Sequence, residues 1–306
     1  MRNNSLGISV AGLQLKNPSM LASGILGYTT ASLKSIAENG ASAVVTKSIG
    51  IKSRAGYPNP TVVQAKCGLI NAMGLPNPGI NSYISEIRHA KTVLTVPLIV
   101  SVYGFSAEEY AETAQTAAEA GADAVELNVS CPHVKETGLE IGQNPKVLAD
   151  VVRKVKAKVR KPVIVKLSPN VTDITELAEA AAEAGADALT AINTLRAIAI
   201  DVETLRPILS NKRGGLSGPA VKPVALRCVY DIYEKVKVPL IGCGGITDWR
   251  DAVEFILAGA SAVQIGTAVA LKSPAVFKDI NRGISAYLKK KKFGSVKELV
   301  GLAHRN

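Results

Sequence analysis

Short apolar runs alternate along the chain with Ala- and Glu-rich helical stretches, and one phrase returns four times: Asn39-Gly-Ala-Ser-Ala-Val-Val, Ala120-Gly-Ala-Asp-Ala-Val-Glu, Ala184-Gly-Ala-Asp-Ala-Leu-Thr and Ala258-Gly-Ala-Ser-Ala-Val-Gln. In each the Gly stands where a helix ends, because it accepts the left-handed conformation, and the run after it reads as a buried parallel strand. The phrases recur at about twice the ~30–40 residues of one strand-plus-helix unit, so a second phrase is expected between them. Val96-Pro-Leu-Ile-Val, Lys161-Pro-Val-Ile-Val and Val238-Pro-Leu-Ile-Gly supply it, with Asn17-Pro-Ser-Met-Leu as a weaker fourth case. Proline is tolerated at the first position of a strand, where a missing N–H does no harm. The order Pro18, Gly40, Pro97, Gly121, Pro162, Gly185, Pro239, Gly259 predicts eight strands.

Eight parallel strands alternating with helices over a chain of this length imply an α/β fold, the (β/α)8 TIM barrel, with its site on the loops after the strand C-termini. A doubly wound open sheet is the competing arrangement. It usually carries G-x-G-x-x-G after its first strand, and Ala22-Ser-Gly-Ile-Leu-Gly does not match. Two connections are too long for plain turns, Ser48–Gly79 after strand 2 and Leu195–Pro219 after strand 6, and such insertions are usually functional lids or small added strands. No domain boundary is evident, so residues 1–306 are read as a single domain.

Composition narrows the class. With 47% hydrophobic and 20% charged residues the chain is neither disordered nor collagen-like. The longest apolar runs, such as Val96–Val102, are far short of the roughly 20 residues of a membrane helix. The opening Met1-Arg-Asn-Asn-Ser-Leu-Gly lacks the apolar stretch of a signal peptide, which makes a cytoplasmic location the expectation. Cys67, Cys131, Cys228 and Cys243 form no C-x-x-C pair, which argues against a metal centre, a cluster or a disulfide framework in this chain. The net charge of +11 resides largely in runs such as Arg153–Lys161 and Lys289–Lys292 and is read as solvated surface, with neither nucleic acid nor membrane as partner.

The strand ends carry the chemistry. In order they read Ala22-Ser-Gly, Thr46-Lys-Ser, Val102-Tyr-Gly, Asn128-Val-Ser-Cys-Pro-His, Lys166-Leu-Ser-Pro-Asn, Ile192-Asn-Thr, Gly242-Cys-Gly-Gly and Gly266-Thr. Any one of these suits ordinary capping or loop formation; together they converge on one rim. Gly244-Gly245 and Gly266-Thr267 follow strands 7 and 8, where barrels commonly bind phosphate through backbone N–H groups. Lys47 and Lys166 each offer a fixed positive charge for an anionic substrate or for a flavin ring that gains charge on reduction. Glu126 shares the face of Asn128 and is read as a structural partner for a barrel lysine. Cys131 sits in a loop near these lysines, where a thiol pKa falls below its free value of about 8.5, which suits a general base. His133 either assists it or is a solvated loop residue. Cys67, Cys228 and Cys243 are read as small buried hydrophobes.

Asn71-Ala-Met-Gly-Leu-Pro-Asn-Pro-Gly, Asn128-Val-Ser-Cys-Pro, Val165-Lys-Leu-Ser-Pro-Asn, Ala191-Ile-Asn-Thr, Gly242-Cys-Gly-Gly-Ile and Gln264-Ile-Gly-Thr-Ala occur in the order found in one family. From about Leu13 to Lys272 the chain resembles class 1 dihydroorotate dehydrogenase, and most of all the catalytic subunit of its class 1B form. The resemblance implies FMN-dependent oxidation of (S)-dihydroorotate to orotate in pyrimidine biosynthesis. Under it Cys131 is the base that takes the C5 proton while hydride passes from C6 to flavin N5. It implies substrate contacts at Lys47, Asn71, Ala72, Met73, Gly74, Leu75, Asn128, Asn193 and Thr194. Flavin contacts follow at Ser23, Lys47, Ser48, Asn128, Lys166, Ile192, Gly218, Gly244, Gly245, Gly266 and Thr267. The implied partners are a second copy of the chain, as a homodimer, and an electron-transfer subunit carrying FAD and a [2Fe–2S] cluster that passes electrons to NAD⁺. The class 1A alternative would let fumarate re-enter the same site.

Two positions depart from the family pattern. His133 stands where many relatives have Asn, and Tyr103 stands after strand 3 where an Asn is common, so that one flavin contact is expected to be missing or replaced. Two other readings remain at this point. One is a flavin barrel like the pyrimidine-reducing part of dihydropyrimidine dehydrogenase. The other is a tRNA-binding protein like dihydrouridine synthase, for which the residues after Gly266 are too few to form the helical RNA-binding domain.

Overall fold

The structure is a computed structural model that describes residues 6–130 and 141–305. Eight parallel strands are present: β1 Ser19–Leu21, β2 Val44–Val45, β3 Leu98–Val102, β4 Ala124–Asn128, β5 Val163–Leu167, β6 Ala188–Ala191, β7 Leu240–Cys243 and β8 Ala260–Ile265. Each lies just after one of the eight Pro or Gly positions of the two phrases. In space β1 pairs β8, and the ladder continues in descending order to β2. Ser42 N–H donates to Ser19 O at 2.8 Å and Leu21 N–H to Ala43 O at 3.0 Å, which joins β2 to β1 and closes the ring. Closure in simple sequential order excludes the doubly wound sheet, whose strand order reverses at a switch point.

The two phrases are parts of one joint. Asp123, from the Gly-Ala-Asp phrase before β4, accepts from the N–H of Leu98 at the start of β3 at 2.8 Å and from Lys91 Nζ at 2.6 Å. Asp187, before β6, repeats the arrangement with Val163 N–H and Lys156 Nζ, both at 2.7 Å. Each aspartate thus satisfies the first free N–H after a strand-opening proline and ties it to a lysine of a neighbouring helix. Gly259 shows why the phrase needs glycine: its φ is +118°, and a Cβ there would lie 2.2 Å from the ring of Tyr233.

Several helices begin where a side chain satisfies orphan N–H groups. Ser106 caps Ala107–Glu119, Asp173 caps Ile174–Glu183, and Asp248 forms a reciprocal box with Asp251 at the start of Trp249–Leu257. Strands such as β3 and β5 are buried along their whole length, as expected for a parallel sheet covered by helices, and one apolar cluster runs from the strands into the helices. No helix among the described residues is long and apolar enough to cross a membrane.

The two insertions meet. Val62–Ala65 and Gly68–Asn71 come from the connection after β2, Leu195–Ile198 and Arg213–Ser217 from that after β6, and they form one four-stranded antiparallel sheet. This sheet forms a wall at the C-terminal end of the barrel, beside the strand ends that carry the candidate chemistry.

Candidate functional site

A cavity of about 300 Å³ opens at the C-terminal rim, between the strand ends and the inserted sheet. Ser23, Lys47, Ser48, Asn71, Met73, Leu75, Asn128, Lys166, Ile192, Asn193, Thr194, Gly218, Gly244, Gly245, Gly266 and Thr267 all line it. These residues come from seven strand ends or the loops following them and from the insertions, which is how barrel sites are built. Ala72 and Gly74 belong to the same segment as Asn71 and Leu75 but are not part of the lining. Cys131, with Pro132 and His133, lies outside the described residues.

A chain of polar side chains crosses the rim. Asn193 Nδ2 donates to Asn128 Oδ1 at 3.0 Å, and Asn128 Nδ2 donates to Ser48 Oγ at 3.0 Å. Ser48 Oγ lies 2.9 Å from Ser101 Oγ and 3.4 Å from Ser23 Oγ, and Thr194 N–H donates to Asn193 Oδ1 at 2.9 Å. The amides are therefore held in fixed orientations at the cavity edge, where they can donate to and accept from a ligand rich in carbonyl and N–H groups.

Two cations and no carboxylate occur among the described lining residues. Lys47 is half-buried, and that burial lowers its pKa below the ordinary lysine value. Lys166 lies deeper. Its Nζ donates to Gln264 Oε1 at 3.0 Å and sits 4.0 Å from Glu126 Oε1. Burial works against its charge, yet the neighbouring Cys243 and Glu126 outweigh this and raise its pKa above the ordinary value. Burial pushes the Cys243 thiol up while Lys166 beside it works the other way, and the carboxyl group nearest Lys166 is that of Glu126. Glu126 is fully buried; its Oε2 accepts from Thr190 Oγ1 at 3.0 Å and from Gln264 Nε2, while its Oε1 has no hydrogen-bond partner among the described residues. The reading of Glu126 as partner to a barrel lysine matches this geometry.

The glycines bring loops together. A Cβ on Gly245, whose φ is +78°, would lie 2.9 Å from Gly218 O, so the loop after β7 passes close to the segment that follows the inserted sheet. Thr267 Oγ1 lies 2.8 Å from Ser217 Oγ and ties that segment to the loop after β8.

The reading of Cys67 as a buried residue is corrected, Cys228 is only partly buried, and the readings of Cys243 and Tyr103 gain detail. Cys243 is buried as expected but also lines the cavity beside Lys166, because the end of β7 faces inward. Cys67 is exposed, since it occupies the turn between Val62–Ala65 and Gly68–Asn71. Tyr103 is buried but does not line the cavity; its hydroxyl is taken up by Asn77. Several lining residues lay outside the candidate set: Val62, Leu69 and Leu216 from the inserted sheet, and Gln264 on β8. Gln264 was findable, being the polar end of an otherwise apolar phrase.

These residues suit a phosphate-bearing flavin together with a small anion. The cavity has the size of a cofactor site, a buried ammonium deep in its lining, and glycine loops on the side of β7 and β8.

Comparison with known proteins shows the family to which the chain belongs. The family model for dihydroorotate dehydrogenase matches residues 5–288. A relative from Pyrococcus furiosus, named dihydroorotate dehydrogenase B (NAD(+)), catalytic subunit, is 55% identical over 98% of this chain and 99% of its own length. Catalytic subunits of the same name from Pyrococcus abyssi and Thermococcus kodakarensis are each 55% identical over 97% of this chain, covering 99% and 98% of their own lengths.

Proposed function

Because the chain belongs to the dihydroorotate dehydrogenase family, whose members use a flavin, we propose that it is an FMN-dependent catalytic subunit that oxidises (S)-dihydroorotate to orotate in pyrimidine biosynthesis. The observation that carries this reading is the cavity itself. It joins two ammonium groups, four side-chain amides and no carboxylate among its described residues, as a ligand set of one phosphate-bearing ring and one ureide carboxylate requires.

In this reading Ser23, Lys47, Ser48, Asn128, Lys166, Ile192, Gly218, Gly244, Gly245, Gly266 and Thr267 would hold FMN. The chemistry that FMN supplies there is acceptance of the C6 hydride at N5. Lys166, whose pKa is raised, would supply a positive charge to the bound ring and so favour the form carrying more negative charge. Lys47 binds the substrate carboxylate, and Asn71, Asn128, Asn193 and Thr194 fix the ureide edge by donating to its carbonyls and accepting from its N–H groups. Met73 and Leu75 exclude water from that face. The thiolate of Cys131 removes the C5 proton; as the C6–H bond breaks with its electron pair, the C5–H electrons form the C5=C6 double bond. Cys131 follows the rim residue Asn128 by three positions, and the assignment rests on that sequence placement and on the family pattern.

The name that the relatives carry implies a separate subunit. The further reading is a homodimer whose electrons leave through a partner carrying FAD and a [2Fe–2S] cluster, with NAD⁺ as acceptor.

Turnover with an artificial acceptor on a substrate panel tests the specificity. Activity with dihydroorotate and none with dihydrouracil supports the reading; the reverse would move the chain to the dihydropyrimidine-type chemistry.

A further inference from the structure

Met73 and Leu75 face the cavity from a segment whose backbone is under constraint. Gly74 and Leu75 are consecutive left-handed residues, with φ of +73° and +57°, and Leu75 has a side chain that disfavours this region. Such a conformation persists only where the surroundings over-determine it.

Asn77 supplies the determination. It is 5% exposed, and its side-chain amide uses all four of its hydrogen-bonding positions. Nδ2 donates to Leu75 O at 2.9 Å and to the Tyr103 hydroxyl at 2.8 Å. Oδ1 accepts from Gly50 N–H at 3.2 Å and from Gly79 N–H at 2.9 Å. One side chain therefore ties the cavity segment to the loop after β2 and to the end of β3. Its backbone extends the tie, since Asn77 and Arg54 exchange N–H···O bonds of 3.0 and 2.9 Å.

Tyr103 fixes the amide in turn. Its ring packs edge-on against Phe105, with centroids 5.9 Å apart, and lies so close to Gly50 that a Cβ there would stand 2.5 Å from it. The tyrosine is thereby held rigidly, and its hydroxyl sets where Asn77 Nδ2 points.

We propose that Asn77 and Tyr103 are positioning residues that lock the Met73–Leu75 turn against the substrate and so set substrate affinity, without touching substrate or flavin themselves. The inference rests on reading this cavity as the dihydroorotate site. It gives Tyr103 a task on the substrate side in place of a flavin contact.

The test uses the flavin-loaded full chain with Tyr103→Phe and Asn77→Asp, which preserve shape while removing one partner or the amide donor. Orotate binding is expected to weaken about five- to tenfold in Tyr103→Phe, on the scale of one lost hydrogen bond, and more in Asn77→Asp. The KM for dihydroorotate should rise in parallel, while the rate of flavin reduction at saturation and the flavin content stay within about twofold of the parent. Hydrogen exchange should quicken in residues 68–80 and not in β3. Unchanged exchange there overturns the lock, and quickened exchange with unaltered orotate affinity overturns its link to substrate. If the parent protein itself fails to bind orotate, the reading of the cavity fails instead, and the exchange comparison alone decides the lock.

Discussion

Asn193 donates its side-chain amide to the side-chain carbonyl of Asn128 at 3.0 Å, joining the ends of β6 and β4 across 65 residues of sequence. The two amides act as one unit, because each orients the other's remaining donors and acceptors toward the cavity. Asn128→Ala and Asn193→Ala are therefore expected to be non-additive. A double-mutant cycle on dihydroorotate KM should give a coupling of about 1 kcal/mol, the range for residues in direct contact. Additive losses within about 0.3 kcal/mol would show that the amides act separately.

Lys47 predicts a pH dependence with a definite sign. Burial lowers its pKa, so the ammonium is present below that lowered value and lost as pH rises through it, at a pH under that of an ordinary lysine. Anion binding needs the charged form and should weaken on the alkaline side as the proton leaves. Measured across alkaline pH, orotate affinity should fall in the parent chain and be low and flat in Lys47→Ala. A flat profile in the parent would remove Lys47 as the anion's partner.

The fold was legible because each barrel strand repeats a local device. Proline opens one strand and the Gly-Ala phrase opens the next, and in two of the four pairs an aspartate joins them, as Asp123 does to Leu98 and Asp187 to Val163. The rim residues Lys47, Asn128, Lys166 and Asn193 were legible for the same reason, each being the polar residue at a strand end. Leu69 and Leu216 were not. They reach the cavity because Gly68–Asn71 pairs with Arg213–Ser217, a contact between distant segments that no local periodicity announces. Tyr103 was expected to leave a flavin contact missing or replaced, and it does not line the cavity; what the sequence could not announce is its packing against Gly50 and Phe105 and its bond from Asn77.

Glu126 should govern stability more than its distance from the substrate suggests. It is fully buried and is the carboxylate facing Lys166, so Glu126→Ala strands an ammonium in the barrel. Loss of one partner from such a pair costs about 3–5 kcal/mol. Urea unfolding should show this as a lower midpoint, with Glu126→Gln less affected because it keeps an acceptor for Thr190. A change under about 0.5 kcal/mol in Glu126→Ala would contradict the pairing.

Cys131→Ala should retain flavin yet slow its reduction by dihydroorotate on the order of 10²-fold, the scale of a lost acid–base group. Cys131→Ser is expected to be milder, since the hydroxyl keeps the geometry although it is a weaker base. Rapid-mixing kinetics under anaerobic conditions make the comparison, and near-parental reduction in Cys131→Ala would assign the proton to another group.

The most direct measurement is an anaerobic titration of the purified, flavin-loaded chain with dihydroorotate. The account predicts loss of the flavin's visible absorbance, one orotate formed for each flavin reduced, and FMN as the flavin released on denaturation. Absorbance that does not change with dihydroorotate, in protein that carries its flavin, would contradict it.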